Sequence, residues 1–170
     1  MGISIRPARA DDLERINEIY NTTVVDSHVS FDLEPWDLDR RRVWWQRYDA
    51  DGPYRALIAE VDGLPIGIAY SGPYRPKKAY RSSAETTIVL DPSHLRVGVG
   101  RRLLTALLDS LEHGGFHRAY AVVALPNDAS IALHESVGFR VVGTLEGAGY
   151  KLGRYWSTTI LERRLGEIAE

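Results

Sequence analysis

The chain has 170 residues, a length typical of one domain, and a hydrophobic content of 44%, which is ordinary for a globular protein. Its 21 basic and 23 acidic residues give a formal net charge of -2, so no overall charge draws it toward nucleic acid or an anionic membrane. The absence of cysteine excludes disulfides, thiolate nucleophiles and sulfur-bound metals, and we find neither an apolar signal core nor a bilayer-spanning apolar run. We therefore expect a single cytoplasmic domain over residues 1–170.

The N-terminal part predicts a short strand followed by two helices. Ser4–Arg6 reads as extended, and Asp11–Tyr20 places its apolar side chains on one helical face with acidic residues in the first turn. Pro35 is typical of a first helical position and predicts a second helix that continues to about Tyr48. The arginines Arg40–Arg42 within this helix are expected to form a solvated face.

Three strands are predicted next. The apolar runs Ala56–Val61 and Pro65–Tyr70 flank the dipeptide Asp62-Gly63, whose residues both tolerate positive φ, and this pattern predicts an antiparallel hairpin. A basic, proline-containing loop then leads into the strand Ala84–Leu90.

The second half alternates helices and strands. A leucine-rich helix begins near Arg101 and ends at Gly114-Gly115, and the near-helical spacing of its leucines predicts a core element. The strand Ala119–Leu125 follows, then a short helix from Asn127 to about Val137. The last two predicted strands are Arg140–Leu145 and Trp156–Leu165. The order β-α-α-β-β-β-α-β-α-β-β predicts an α/β fold with a mixed sheet covered by helices on both faces.

The turn Leu95–Gly100 joins a strand to the leucine-rich helix and contains two glycines. A helix N-terminus with nearby glycines can bind a phosphate through its unpaired N–H groups, although the same pattern also fits a plain tight turn. The residues that follow, Arg101-Arg102, exclude a nucleotide-triphosphate loop, which needs Gly-Lys-Ser/Thr. Leu103 stands where a dinucleotide-binding motif needs its third glycine. The remaining candidate ligand is another phosphorylated cofactor.

Four features occur in a fixed order: the acidic residue Glu85 in a strand, the glycine turn, the strand ending at Leu125, and the segment Pro126–Phe139. Together they resemble the GNAT superfamily of N-acetyltransferases, and within it the phosphinothricin and methionine sulfoximine acetyltransferases. The resemblance covers nearly the whole chain, with further matches at Ile5-Arg6, Asn21, Phe31, Glu34-Pro35, Gly67–Tyr70, Gly72-Pro73, Ala79-Tyr80, Ala84-Glu85 and Tyr150–Arg154. It implies a mostly antiparallel central sheet that splays apart at the cofactor site.

The resemblance also implies acetyl-CoA as co-substrate and no metal. The coenzyme's pyrophosphate would lie on the turn and its pantetheine arm would pair like an added strand with a β-strand backbone. The implied contacts are Leu95, Arg96, Val97, Gly98, Val99, Gly100 and Arg101 in the turn, Thr87, Ile88 and Val89 in the strand, and Asn127 and Ser130 in the next helix. For Asn127, a plain helix N-cap is an alternative role.

Acetyl transfer to an amine needs a base, because an amine with a pKa of about 10.4 is deprotonated in about one molecule in a thousand at pH 7. Glu85 is the implied general base, and Glu34 is a second carboxylate near the predicted site. His134 occupies the position of a tyrosine found in many relatives, so it is a candidate acid or coenzyme contact; the alternative is a packed, hydrogen-bonded histidine. A zinc site at His113 and His117 is rejected, because Gly114-Gly115 breaks the helix between them.

For the acceptor, the resemblance implies a small amine and contacts from two segments. Arg75 can clamp a substrate carboxylate through two parallel hydrogen bonds, or it belongs to a solvated basic loop. Phe31 and Trp36 are candidate pocket walls. The implied substrate contacts are Tyr74, Arg75 and Pro76 in the loop, and Ala84, Glu85 and Thr86 in the strand. Relatives of this branch are typically homodimers, and we expect the same here.

Two positions depart from the branch. Leu95 replaces a polar residue at the start of the turn, which predicts weaker coenzyme binding, and Ser157 stands two positions after Tyr155, where relatives carry an acidic residue two positions after a tryptophan. We keep two other hypotheses: an acetyltransferase for protein N-termini, lysines or polyamines, and a non-catalytic acyl-CoA sensor.

Overall fold

The computed structural model describes residues 2–48, 52–94 and 98–166. Its strands and α-helices follow the predicted order. The strands are β1 (Ile3–Pro7), β2 (Ala56–Val61), β3 (Leu64–Pro73), β4 (Ser83–Leu90), β5 (Arg118–Ala124), β6 (Arg140–Lys151) and β7 (Arg154–Arg164). The helices are α1 (Leu13–Asn21), α2 (Leu38–Trp45), α3 (Val99–His113) and α4 (Asp128–Ser136). None of these helices is long and apolar enough to cross a membrane.

All seven strands join one sheet in the order β1-β2-β3-β4-β5-β7-β6. Every neighbouring pair is antiparallel except β4 and β5, which are parallel. The β4–β5 pairing covers only Ser83–Glu85 against Arg118–Tyr120. Beyond Glu85 the two strands separate, which confirms the predicted splay of the sheet.

Helices cover both faces of the sheet, as predicted. On one face, the buried leucines of α3 pack with the segment around Val137 and Phe139 that follows α4. On the other face, Ile16 and Ile19 of α1 and Trp44 of α2 pack on β2, β3 and β4. Each face of the sheet therefore has its own cluster of buried side chains beneath the helices.

Helix α2 differs from its prediction in length and in the environment of one arginine. It begins at Leu38, because Asp37 caps it by accepting a hydrogen bond from the Arg40 amide at 2.7 Å. Arg41 is fully buried, so the predicted solvated face is wrong at this residue. Its guanidinium lies over three aromatic rings, 4.5 Å from the ring centroid of Tyr20, 4.3 Å from that of Trp36 and 4.8 Å from that of Trp44. Cation–π contacts between α1, α2 and their connection thus replace water around this charge.

The C-terminal hairpin is longer than predicted. Strands β6 and β7 meet at Leu152-Gly153, both with positive φ (54° and 76°), which is the backbone of a tight two-residue hairpin turn. Gly147 and Gly149 lie within β6 and interrupt the alternation of apolar residues that marks a strand. The extra length carries the hairpin tip to the segment between α1 and α2.

Candidate active site

A cavity of about 860 Å³ occupies the splay between β4 and β5. Its walls come from β4 and β5, from Tyr70 of β3, from the first turn of α3, from α4, and from α1 with the segment that follows it. The lining residues are Tyr20, Thr23, Val29, Ser30, Tyr70, Glu85, Thr86, Thr87, Ile88, Val89, Leu90, Gly98, Gly100, Arg101, Ala121, Val122, Val123, Ala124, Asn127, Ala129, Ser130, Ala132, Leu133 and His134. Most of the residues predicted for the base and the coenzyme are thus brought together here.

One edge of β4 faces the cavity without a strand partner. Pairing with β3 continues to Leu90, whereas pairing with β5 ends at Glu85, so Thr87, Ile88 and Val89 have a neighbouring strand on one side only. Thr86 closes the start of the splay by donating its hydroxyl to the Tyr120 carbonyl at 3.1 Å. Backbone groups on such a free edge pair with an extended ligand as they would with another strand.

The N-terminus of α3 lies at the other end of the cavity. Gly98 precedes the helix with φ of 78°, a left-handed conformation that suits glycine, and it has no side chain to cap the first turn. Gly98, Gly100 and Arg101 line the cavity, while Val99 turns into the core with 2% exposure. The predicted contacts Leu95, Arg96 and Val97 lie outside the described residues. The described part of the turn therefore presents helix N–H groups toward the cavity end.

Glu85 marks the point where the strands part. It is the last β4 residue in register with β5, opposite Tyr120, and it pairs with Gly72 on β3. Burial raises the pKa of the Glu85 carboxyl above its usual value, and the positive charge of Arg75 partly opposes this shift. The carboxyl is therefore a stronger base than an exposed glutamate, and it lines the cavity where the two strands part.

The predicted acceptor loop lies beside Glu85 but outside the cavity wall. Tyr74 stacks on Tyr120 with ring centroids 4.0 Å apart, and the Arg75 guanidinium lies 5.2 Å from the Tyr74 ring. Pro76 is exposed, and Ala84 is fully buried in the core, so its side chain points away from any open surface. Of the predicted acceptor residues, the structure brings Tyr74, Arg75, Glu85 and Thr86 to the same end of the splay.

The segment between α1 and α2 forms a further wall, and the C-terminal hairpin holds it in place. Lys151 is 5% exposed, and its Nζ donates to the Val24 carbonyl at 2.8 Å and to the Ser30 carbonyl at 2.7 Å. Phe31 lies against the backbone of Gly149 rather than in the cavity wall, and the predicted Glu34 is exposed. These contacts fix Val29 and Ser30 where they line the cavity.

Gly149→Ala tests this contact between the hairpin and the segment. The added methyl would overlap the Phe31 ring, so the ring must move, and we expect the free energy of unfolding in urea to fall by about 1–3 kcal/mol. Gly143→Ala on the same strand is the matched control, since its Cβ meets no atom of the described residues within 4 Å. Equal stability of the two variants would contradict the assigned packing.

Asn127 is predicted to contact the coenzyme or to cap helix α4, and its position is compatible with both roles. Its side-chain oxygen accepts a hydrogen bond from the Ser130 amide at 3.2 Å, which makes it the N-cap of α4, and both residues line the cavity. The structure thus shows the capping role and leaves a coenzyme contact open to the amide nitrogen.

Two substitutions separate these roles. Asn127→Ser keeps a capping oxygen, so we expect stability within about 0.5 kcal/mol of the wild type and a several-fold higher KM for acetyl-CoA. Asn127→Ala removes the cap as well, and we expect it to lose about 1 kcal/mol of stability. Thermal unfolding and steady-state kinetics measure the two effects; an unchanged KM in both variants would leave Asn127 a cap alone.

His134 is 3% exposed and lines the cavity from α4. Its Nδ1 lies 2.7 Å from the Ser130 carbonyl oxygen, and Phe139 packs edge-on with ring centroids 5.1 Å apart. Nε2 is buried without a partner among the described residues. Burial lowers the pKa of the imidazole below its usual value, and the hydrogen bond to Ser130 opposes this only in part.

Several cavity residues had no signal in the sequence. Tyr20 and Thr23 lie at the end of α1 and just after it, so they read as ordinary core or loop residues. Tyr70 lies in the matched stretch Gly67–Tyr70, but it ends an apolar strand and nothing in the sequence assigned it to the site. Val29 and Ser30 belong to a segment without regular structure. Only the sheet topology, which places α1 and β3 beside the splay, brings them to the site.

Comparison with known proteins identifies the class to which this arrangement belongs. Residues 14–139 match the profile of the Acetyltransferase (GNAT) family. A solved structure described as a GNAT superfamily phosphinothricin acetyltransferase from Sinorhizobium meliloti, in complex with acetyl-CoA, has a TM-score of 0.93 at 31% identity, with 99% of this chain and 91% of that chain covered. The chain therefore belongs to the GNAT family and is an N-acetyltransferase.

Two relatives within the family belong to the branch that the sequence resembles. The chain is 41% identical over 165 residues to the phosphinothricin N-acetyltransferase of Streptomyces coelicolor, with 96% of each protein covered. It is 33% identical over 167 residues to the L-methionine sulfoximine/L-methionine sulfone acetyltransferase of Salmonella typhimurium, with 98% of this chain and 97% of that protein covered. The predicted resemblance to this branch is confirmed.

Proposed function

We propose that this enzyme transfers the acetyl group of acetyl-CoA directly to the primary amine of a small amino-acid-like molecule, with Glu85 as general base. The observation that carries the proposal is the position of Glu85, a partly buried carboxyl that lines the cavity at the point where β4 and β5 separate.

The cavity offers the groups that acetyl-CoA requires. The α3 N-terminus with Gly98 and Gly100 suits the pyrophosphate, because unpaired helix N–H groups and the helix dipole favour an anion. The free edge of β4 at Thr87–Val89 suits the amides of the pantetheine arm. Ser130 and Asn127 add polar groups on the opposite wall. When bound, acetyl-CoA supplies a thioester carbon that an amine can attack.

Glu85 meets the chemical requirement for a base. A raised pKa brings the carboxyl closer to the acidity of the ammonium from which it takes a proton. Backbone N–H groups on the free edge of β4 are suitably placed to stabilise the negative charge that develops on the carbonyl oxygen.

An amino-acid-like acceptor is supported by the charge beside Glu85. Arg75 is exposed and lies close enough to influence the Glu85 pKa, so a carboxylate bound to Arg75 would place a neighbouring amine near the base. Tyr74 and Tyr120 provide a stacked aromatic wall on the same side. The relatives act, by their names, on phosphinothricin and on methionine sulfoximine and sulfone, which are amino-acid analogues.

An acceptor screen tests the proposal. CoA release from acetyl-CoA would be measured with phosphinothricin, methionine sulfoximine, methionine sulfone, free amino acids, polyamines and peptides. We expect the highest kcat/KM among the free amino-acid analogues. A preference for peptides or polyamines would contradict the substrate class, and CoA binding without turnover of any amine would favour a non-catalytic sensor.

We also propose that the enzyme is a homodimer. Strand β6 is an edge strand, and its exposed side chains include Val141, Val142, Leu145 and Tyr150 at 44–59% exposure. A long apolar edge is a ready surface for pairing with another chain. Light scattering is expected to give twice the monomer mass, and Val142→Lys with Leu145→Lys is expected to reduce it to the monomer value. A wild-type monomer at all concentrations would contradict this.

A further inference from the structure

Glu85 faces the side of the sheet that α1 and α2 cover. Side chains two residues apart on a strand point to the same face, so Glu85, Thr87 and Val89 share one face of β4. Val89 is buried against side chains of α1 and α2, whereas Ala84 and Ile88, on the alternate face, pack with the leucines of α3. An amine that gives a proton to Glu85 therefore lies on the α1 side of the cavity.

Tyr20, near the end of α1, lines the cavity on this side. Its hydroxyl donates a hydrogen bond to one carboxylate oxygen of Asp32, and the other oxygen accepts from Nη2 of Arg40 at 3.1 Å. The Asp32 amide donates to the Ser30 hydroxyl at 3.2 Å, and Ser30 also lines the cavity. The tyrosine hydroxyl and its carboxylate partner are thus fixed at the cavity wall.

The Tyr20 oxygen can accept a further hydrogen bond. Burial, and then the hydrogen bond to Asp32, raise the pKa of the phenol above its usual value; Ser30 opposes this only in part, so the hydroxyl keeps its proton. That proton is directed at Asp32, which leaves lone pairs on the oxygen for another donor. A hydrogen bond to an ionised carboxylate also polarises the hydroxyl and makes its oxygen a better acceptor.

The charges around Tyr20 favour an uncharged donor. The guanidinium of Arg41 is fully buried and lies 4.5 Å from the centroid of the Tyr20 ring, while Asp32 is already paired with Arg40. A buried positive charge repels an ammonium group more strongly than it would in water, because the effective dielectric constant is lower. The neutral amine that remains after Glu85 takes a proton still has N–H groups and is not repelled in this way.

The reaction requires such an amine at this place. The ammonium acceptor gives one proton to Glu85, and the lone pair of the resulting amine forms a bond to the thioester carbon. The C–S bond breaks with its electron pair on sulfur, and one of the two remaining protons leaves the nitrogen and ends on that sulfur. The products are the thiol of CoA and an amide that keeps one N–H. A hydrogen bond from the amine to a fixed oxygen restricts its rotation and orients its lone pair.

We infer that the hydroxyl oxygen of Tyr20 accepts a hydrogen bond from the amine of the acceptor and so directs its lone pair toward the thioester, with Asp32 as the positioning residue that holds the tyrosine proton. The inference rests on the proposed acetyl-CoA-dependent function. It adds to the acceptor site a residue of α1 that the sequence did not indicate.

Kinetics of Tyr20→Phe with the best amino-acid acceptor test this role. We expect kcat/KM for the acceptor to fall about five- to tenfold, the value of one ordinary hydrogen bond, while the KM for acetyl-CoA stays within about twofold. The same acid without its amino group, which is 4-(methylsulfonyl)butanoate when the acceptor is methionine sulfone, probes the rest of the pocket as a competitive inhibitor. Its inhibition constant is expected to be equal in the wild type and in Tyr20→Phe, because it has no amine to bind.

Two further variants sharpen the test. Tyr48→Phe is the matched control, because this hydroxyl donates to the Ser71 carbonyl at 3.0 Å in the same aromatic cluster and lies outside the cavity lining. It should leave kcat/KM and the inhibition constant unchanged. Asp32→Asn keeps an oxygen that accepts from Tyr20 but loses the negative charge, so we expect a smaller fall in kcat/KM than in Tyr20→Phe.

Two results would overturn the inference: an unchanged kcat/KM in Tyr20→Phe, or an inhibition constant of the deaminated acid that rises as much as kcat/KM falls. The second result would mean that Tyr20 shapes the pocket without binding the amine. Either result leaves the proposed function standing, whereas a wild-type enzyme that acetylates no amine defeats both.

Discussion

Replacing Glu85 with glutamine is expected to lower kcat/KM for the best acceptor by about a hundred- to ten-thousand-fold at neutral pH, the usual contribution of a general base. Glutamine cannot take a proton from the acceptor. Because it has nearly the same shape as glutamate, the cavity and the β4 register are retained. The affinity for CoA should stay within about twofold, because in the proposed complex the coenzyme's phosphate and amide groups bind elsewhere. Steady-state kinetics and calorimetry measure the two quantities.

Two other glutamates serve as controls for this substitution. Glu135→Gln, on the exposed side of α4, is expected to leave turnover unchanged. Glu34→Gln is expected to have at most a small effect, because Glu34 is exposed and does not line the cavity. Full turnover in Glu85→Gln at neutral pH would show that another group is the base, and a large loss in Glu34→Gln would point to that carboxyl.

Local patterns in the sequence predicted most of the elements correctly. The leucine spacing of α3 and the turn Asp62-Gly63 are signals carried by adjacent residues, and the structure has the helix and the hairpin where they indicate. The burial of Arg41 could not be predicted in this way, because its surroundings are assembled from α1, α2 and the connection between them. Trp44 lies one turn after Arg41 on α2, whereas Tyr20 and Trp36 reach the guanidinium only through tertiary packing.

The part of the site that could be predicted is the part that lies in recognisable sequence motifs. Glu85, the glycine turn and the start of α4 stand in a fixed order, so resemblance could place them, and the structure gathers their described residues around one cavity. Tyr20 and Ser30 reach the same cavity from far along the chain, through the packing of α1 and the hold of Lys151 on the following segment. Such contributions depend on tertiary contacts and leave no local pattern.

Arg75→Met is expected to weaken the binding of acceptors that carry a carboxylate. If Arg75 clamps that group, loss of charged hydrogen bonds should raise KM for an amino-acid acceptor by about ten- to a hundredfold. The KM for the corresponding amino-acid amide, which has no carboxylate, should change little. Lys77→Met in the same exposed loop is the matched control and should leave both values unchanged. Equal effects of Arg75→Met on the acid and the amide would show that Arg75 does not bind the carboxylate.

The same variant should also move the pH dependence of turnover, in a direction set by the charges around Glu85. Arg75 lowers the pKa of the Glu85 carboxyl and thereby opposes the increase caused by burial. Without Arg75 the pKa of Glu85 rises further, the carboxyl stays protonated to a higher pH, and a base is inactive when protonated. The acidic limb of kcat/KM against pH is therefore expected to shift to higher pH in Arg75→Met and to stay in place in Lys77→Met. A shift to lower pH, or none, would mean that the limb belongs to a group other than Glu85, because carboxylate binding alone changes KM without moving the ionisation of the base.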